Sequence, residues 1–328
     1  MVRDKKTLAA LSVAVAAVAC LYTTGFAQNA PPNQPNFDNL EVRSLHVQGN
    51  VWMLTGAGGN IAVQVGDEGV LLVDTGARGT ADAVLAAIRR ITDAPIRFIV
   101  NTSADPERAG NNAVFGELPG GATSGTGSGP TPQIIAHTNT HLRLSRLEPA
   151  VPDSPLAGLP TDAYLGKQRD FFFNGEAIQI IHVPSAHSDG DSIVHFRGSD
   201  VIVSGDVFTT TSFALFDVRR GGTYQGILDG LNAMLDIAVP KFMQEGGTYI
   251  VPGHGRISDE ADLAEVRDQV HMIRDRFADL AVTRNMTLPQ VMAMKPLIDF
   301  ERRYDRPEWT AEQFAAAVYA EMAKRRER

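Results

Sequence analysis

The chain has one cysteine, Cys20, and it lies inside a segment expected to be removed on export. The mature protein then has no disulfide and no thiolate to offer a metal, so any metal site must be built from histidine and carboxylates. Its stability rests on its core alone. A long basic run is also missing. The formal charge is −8, and residues 1–27 carry Arg3, Lys5 and Lys6 against Asp4, so the remainder is more acidic still. That charge argues against nucleic acid and anionic lipid as partners and leaves a small-molecule ligand or a protein. There is no glycine-rich phosphate loop with a lysine, no nucleophile elbow and no short-period repeat.

What is present is an ordinary globular balance. Hydrophobic residues make up 44% and charged residues 21% of 328, enough apolar surface to fold without staples. The start is basic, residues 8–22 are almost unbroken apolar, and Gly25-Phe26-Ala27 places small residues at a cleavage site. This layout predicts a secretory signal peptide over 1–27 and an exported protein, periplasmic or extracellular. The apolar run is shorter than the roughly 20 residues that span a bilayer, so no stable membrane insertion is expected after cleavage. Ala17-Val18-Ala19-Cys20 faintly resembles a lipobox without its usual leucine, which makes lipid attachment at Cys20 the alternative. Residues 28–40, rich in Pro, Asn and Gln, predict a flexible tether.

Beyond the tether, short β-type runs at 51–54, 61–65 and 70–73 are punctuated by glycines. Residues 80–91 show helical spacing of Val84, Leu85, Ile88 and Ile91, and 96–100 is a continuous apolar strand. Residues 170–173, 178–182, 192–196, 201–204 and 249–251 repeat the strand pattern, with a helix over 223–238. Residues 116–132 and 146–165 predict two mobile loops bordering a site. The rest is helical. Ser258 is expected to cap a long helix, and Thr287 with Gln290 and Thr310 with Gln313 have capping-box spacing.

Five polar stretches each follow a predicted strand: Asp74-Thr75-Gly76, residues 101–108, residues 185–191, Ser204-Gly205-Asp206, and Pro252-Gly253-His254-Gly255. Polar groups at successive strand ends converge on one sheet edge, where α/β sites are built. His182 and His195 fall in strand patterns and are expected to be packed or hydrogen-bonded. His137 and His141 are expected on a helix surface, and His46 and His271 have no expected role.

These residues carry a resemblance. The opening NVWMLTGAGGNIAVQVGDEGVLLVDTGA resembles the first hairpins of the metallo-β-lactamase superfamily. That family's frame NTHxHxDHxGGN falls on NTSADPERAGNN, with Asn101, Thr102, Gly110 and Asn112 matching, and its later ligand motifs fall on AHSDGD, SGD and PGHG. The resemblance runs from about Asn50 to Gly255. It implies an α/β fold, an αββα sandwich of two mixed sheets flanked by helices. The C-terminal helices resemble an extension seen in some exported members. The expected organisation is a metallo-β-lactamase-like domain over 41–257 and a C-terminal helical extension over 258–328 packed on it.

The resemblance also implies one or two zinc ions between the sheets. One would take positions 103, 105 and 187, the other 107, 108 and 254, with Asp206 bridging. The chain keeps His187, Asp206 and His254. It has Ser103 and Asp105 where the family has His, Glu107 where it has Asp, and Arg108 where it has His. A serine hydroxyl is a poor ligand at neutral pH, and a guanidinium cannot ligate at all. The expected cofactor is therefore none, or one weakly bound divalent metal held by His187, Asp206, His254 and Asp105, zinc by resemblance. Whether the chain is an enzyme stays open at this point. One reading is a non-hydrolytic or very weakly active binding homologue. The other is a hydrolase of an ester, amide or lactone using one non-standard metal, with Asp206 and Glu107 the catalytic candidates. Arg108 is expected to act as a structural cation paired with Asp206 or Glu107, the alternative being a side chain turned to solvent.

Overall fold

The computed structural model describes residues 41–120, 131–145, 158–243 and 246–326. Most of the two long loop segments and the whole of the N-terminal segment lie outside these residues.

Two sheets are formed. The first contains β1 (Arg43–Gln48), β2 (Val51–Thr55), β3 (Ile61–Gly66), β4 (Gly69–Val73), β5 (Ile96–Val100), β6 (Gln133–His137) and β7 (Asp162–Tyr164), in that order. Strands β1 to β4 pair antiparallel, and β4 to β7 pair parallel. The second contains β8 (Gln168–Phe173), β9 (Glu176–His182), β10 (Ser192–Phe196), β11 (Val201–Val203), β12 (Tyr249–Val251) and β13 (Ser258–Asp259), with only β11 and β12 parallel.

Alternation along the strands explains the layering. Leu71 and Val73, Phe98 and Val100, Val194 and Phe196, and Val201 and Val203 fill one core between the sheets. Their neighbours point the other way. Val70, Leu72 and Ile99 pack under α1 (Ala81–Arg89) through Val84 and Ile88. Ile193, Ile202 and Ile250 pack under α5 (Tyr224–Leu235), α6 (Glu260–Ala278) and α9 (Ala311–Arg326), through Leu231, Val270 and Phe314. Successive side chains of a strand face opposite ways. A strand covered on both faces is therefore apolar throughout, as β4, β5, β10 and β11 are. The result is the expected αββα sandwich of two mixed sheets with a C-terminal helical region.

Residues on both sides of position 258 share the helix-side core of the second sheet. Phe314 stacks on Phe213 with ring centroids 4.5 Å apart, and Trp309 Nε1 donates to Ala214 O at 3.2 Å. Glu321 accepts from the backbone of Tyr224 and Gln225 at 2.5 and 3.2 Å, so α9 supplies the acceptor for the first amides of α5.

Some local expectations are corrected. Ser258 does not cap α6; it lies in β13, and Asp259 is the cap, in a reciprocal box with Asp262. The end of the second predicted loop, 162–164, is drawn into β7, because the open edge of β6 supplies backbone partners. Strands β1 and β6 had no counterpart among the predicted strands. The Gln290 and Gln313 carboxamides do reach back to Thr287 N and Thr310 N, both at 2.9 Å.

Candidate functional site

Strands β4, β5, β9, β11 and β12 all deliver their C-terminal ends to one edge of the sandwich, and the five polar stretches meet there. The frame is fixed by amides and glycines. Asn101 and Asn112 exchange side-chain hydrogen bonds at 2.8 and 3.0 Å. Asp74, with φ 68°, accepts from Thr102 N and Thr102 Oγ1, each at 2.8 Å. Thr75 N donates to Arg108 O at 2.7 Å. Asp105 precedes the single turn α2 (Pro106–Ala109), whose Pro106 sits where no amide donor is needed. That turn aims Glu107 outward and Arg108 inward.

Arg108 is completely buried. Its Nε donates to Asp206 Oδ2 at 2.9 Å, its Nη2 pairs with Asp206 Oδ1, and its Nη1 donates to Asn60 O at 3.2 Å. Asp74 Oδ2 lies 3.7 Å from Nη1. Two glycines make the space. A Cβ at Gly59 would overlap the guanidinium, and one at Gly253 would lie 2.7 Å from both Nη2 and Asp206 Oδ1. Burial opposes the charge on Arg108, but the attraction of Asp206 outweighs it, and the guanidinium holds its proton more tightly than usual. Burial likewise works against ionised Asp206, but Arg108 and His254 hold its carboxyl well below the usual carboxylate range. Asp74 is different. Burial prevails over Arg108 and Thr102 and pushes its carboxyl up to about 7.

Glu107 pairs elsewhere. It is half-exposed, and its Oε2 lies 3.2 Å from His254 Nε2, which is also 3.5 Å from Asp206 Oδ1. Burial would lower the His254 pKa, but these two carboxylates raise it to about 9. His187 Nδ1 lies 3.5 Å from Asp105 Oδ2 and 3.6 Å from Asp191 Oδ1, distances of charge attraction rather than hydrogen bonding. Burial is again overcome, chiefly by Asp105, and the His187 pKa rises to about 10. Asp105 itself accepts from Ser103 Oγ at 2.7 Å and from Arg220 Nη1 at 2.6 Å.

Two of these residues were missed by sequence reasoning. Asp191 lies within the 185–191 stretch and accepts from Ser188 N and Oγ at 2.6 and 2.7 Å, so its position in the motif was the available signal. Arg220 follows no strand and carries no motif; nothing local marks it. The outlying histidines are also placed. His182 Nδ1 bonds Asp191 O at 2.9 Å, and His195 Nδ1 approaches Gln179 Oε1 at 3.3 Å. His137 is not on a helix surface. It ends β6, is buried, and stacks on His182 with centroids 3.6 Å apart and planes at 4°. His141 is partly buried, and its Nδ1 is enclosed without a partner among the described residues.

The residues do not fit two zinc ions. Where a second ion would need a ligand, a buried guanidinium pairs with the carboxylate that would bridge. A single ion fits better in number. Asp105, His187 and Asp206 can bring one ligand atom each within 4.8 Å of the others, three protein ligands being what a catalytic site retains. Each already has another charged neighbour.

The family model described as the metallo-beta-lactamase superfamily matches residues 54–254. Among solved structures, a metallo-beta-lactamase from Pontibacter korlensis is similar at 12% identity and TM-score 0.54, over 70% of this chain and 99% of that one. DIM-1 metallo-beta-lactamase is similar at 16% identity and TM-score 0.54, over 70% and 97%. VMB-1 is similar at 13% and 0.53, with the same coverage. At these identities the likeness is one of fold. No curated protein sequence matches the chain.

Proposed function

The chain belongs to the metallo-beta-lactamase superfamily, and from that premise we propose that it is an exported binding protein of this fold, non-hydrolytic or only very weakly active. Its ligand is a small molecule or a protein partner, not nucleic acid, taken at the sheet edge where Glu107, His254 and Arg220 reach the surface. One observation carries the reading: the fully buried Arg108 guanidinium, bound through two nitrogens to Asp206. A cation fixed in this way supplies the charge balance a metal would supply, but it has no open coordination position and cannot generate a nucleophile. Fold membership alone argues no activity. Export rests on the basic start, apolar run and small-residue cleavage site of residues 1–27, and no described helix is long and apolar enough to cross a membrane.

Elemental analysis of the purified protein, with assays on β-lactam, ester and lactone substrates with and without added zinc, tests this. Well under one zinc per chain and no zinc-dependent turnover are expected. Two tightly held zinc ions after dialysis, with turnover, would overturn the reading.

A second reading is favoured by the Asp105, His187 and Asp206 cluster. In it the chain is a hydrolase of an ester, amide or lactone using one non-standard ion. Such an ion would acidify bound water, and Asp206 or Glu107 would orient it. Turnover that titrates with one ion per chain would establish this reading over the first.

A further inference from the structure

We propose that Arg220 is a second built-in cation, one that closes a latent single-ion site formed by Asp105, His187 and Asp206. The proposal deepens the reading that Arg108 has replaced a metal, and it rests on that reading for the claim that the site works without one.

Two independent observations mark the latent site. Three ligand atoms from three separate strand ends gather within 4.8 Å. In addition His187, 9% exposed, carries a buried Nδ1 with no hydrogen-bond partner among the described residues, although Asp105 and Asp191 oxygens lie 3.5 and 3.6 Å away. A buried imidazole nitrogen left without a bond is costly. It is also the nitrogen that a divalent ion would engage, by displacing its proton.

Arg220 obstructs that engagement. Its Nη1 takes Asp105 Oδ1 at 2.6 Å while Ser103 Oγ takes Oδ2 at 2.7 Å, so both carboxylate oxygens are committed. Its Nε is steadied by Asp217 Oδ2 at 3.0 Å. A guanidinium at this distance also repels a dication, an effect that partial burial strengthens.

The backbone, not the side chain, sets this position. Arg220 ends the short turn Val218–Arg220. Asp217 N donates to His187 O at 2.7 Å, and Arg220 O accepts from Asp189 N and Arg143 Nη2, each at 2.9 Å. The carboxylate of Asp189 is in turn forked by Arg143 at 2.8 and 2.7 Å. The turn is thus tied to the loop that carries His187, and truncating Arg220 should leave the turn in place while freeing Asp105.

The test is a Co²⁺ titration of the full chain, read by calorimetry and by visible absorption. The proteins are wild type, Arg220→Lys, Arg220→Gln, and Arg220→Gln combined with His187→Ala. Arg220→Gln should bind Co²⁺ roughly tenfold or more tighter than wild type and gain a visible band, with each tenfold readable directly in Kd. Arg220→Lys should stay weak because the charge remains, and the His187→Ala combination should lose the gain. Asp217→Asn, which loosens Arg220 without removing it, gives a second route and should show a smaller gain. Equal Co²⁺ affinity in wild type and Arg220→Gln, or a gain that survives His187→Ala, overturns the proposal. Those outcomes are differences between variants. They are separate from zinc-dependent turnover in the wild type, which would sink the binding-protein reading instead.

Discussion

Replacing Arg108 by alanine should be among the most damaging single changes in this protein. The side chain is fully buried, gives two hydrogen bonds to Asp206 and one to Asn60 O, and sits 3.7 Å from Asp74. Its removal leaves the Asp206 carboxylate, itself nearly buried, without its strongest partner. Breaking a buried pair from one side costs about 3–5 kcal/mol, mostly because a charge is stranded. In a domain of this size that is a fall in Tm of about 6–10 °C, at about 2 °C per kcal/mol. Urea unfolding of wild type, Arg108→Ala, Asp206→Asn and the double variant gives the coupling. Arg108→Met, which keeps most of the volume, should recover little, because charge rather than packing dominates. The double variant should be less damaged than the two single losses added together, by at least about 1 kcal/mol. If Arg108→Ala costs under about 1 kcal/mol, or if the losses simply add, then the guanidinium does not neutralise the site and the reasoning fails.

Three further outcomes are expected. Gly253→Ala places a Cβ 2.7 Å from both Arg108 Nη2 and Asp206 Oδ1 and should cost about 1–3 kcal/mol by overpacking, read as a lower midpoint in thermal melts. Burial, helped by the His182 ring stacked on it, lowers the His137 pKa from 6.5 to about 4. The unfolded chain therefore binds this proton more readily, so the stability is present above about pH 6.5 and is lost as pH falls toward 4; His137→Phe should flatten the stability-versus-pH slope in that window, and an unchanged slope would count against His137 as its source. Intact mass of the exported protein should show cleavage after Ala27, and a full-length species confined to the cytoplasm would contradict the export reading.

The strand ends were legible in the sequence because each is a local pattern: an apolar run closing on a polar stretch. The runs that became β4, β5, β10 and β11 were visible for the reason that makes them central, namely burial on both faces. The frame Asn101, Thr102 and Asn112 was legible for the same local reason, and the structure shows it at work, with the two asparagines locking to each other and Thr102 holding Asp74.

What the sequence left open was pairing. It offered Arg108 two carboxylates, and only the packing chose: Glu107, one position away, points outward to His254, while Asp206, 98 positions away, lies inside across from the guanidinium. Adjacent residues in a turn of helix do not face each other, so the near neighbour was the wrong partner. His137 was read as a helix-surface residue because the helical residues follow it at once; the sheet instead claimed it for β6 and set it against His182. Arg220 was invisible. It reaches Asp105 across 115 positions from a turn with no motif, and only the folding of that turn onto the His187 loop brings its charge into the site. Local patterning determines where strands begin, which face is apolar and where polar groups cluster. Which charge meets which is decided by backbone contacts between segments far apart in the chain, and no local pattern records them.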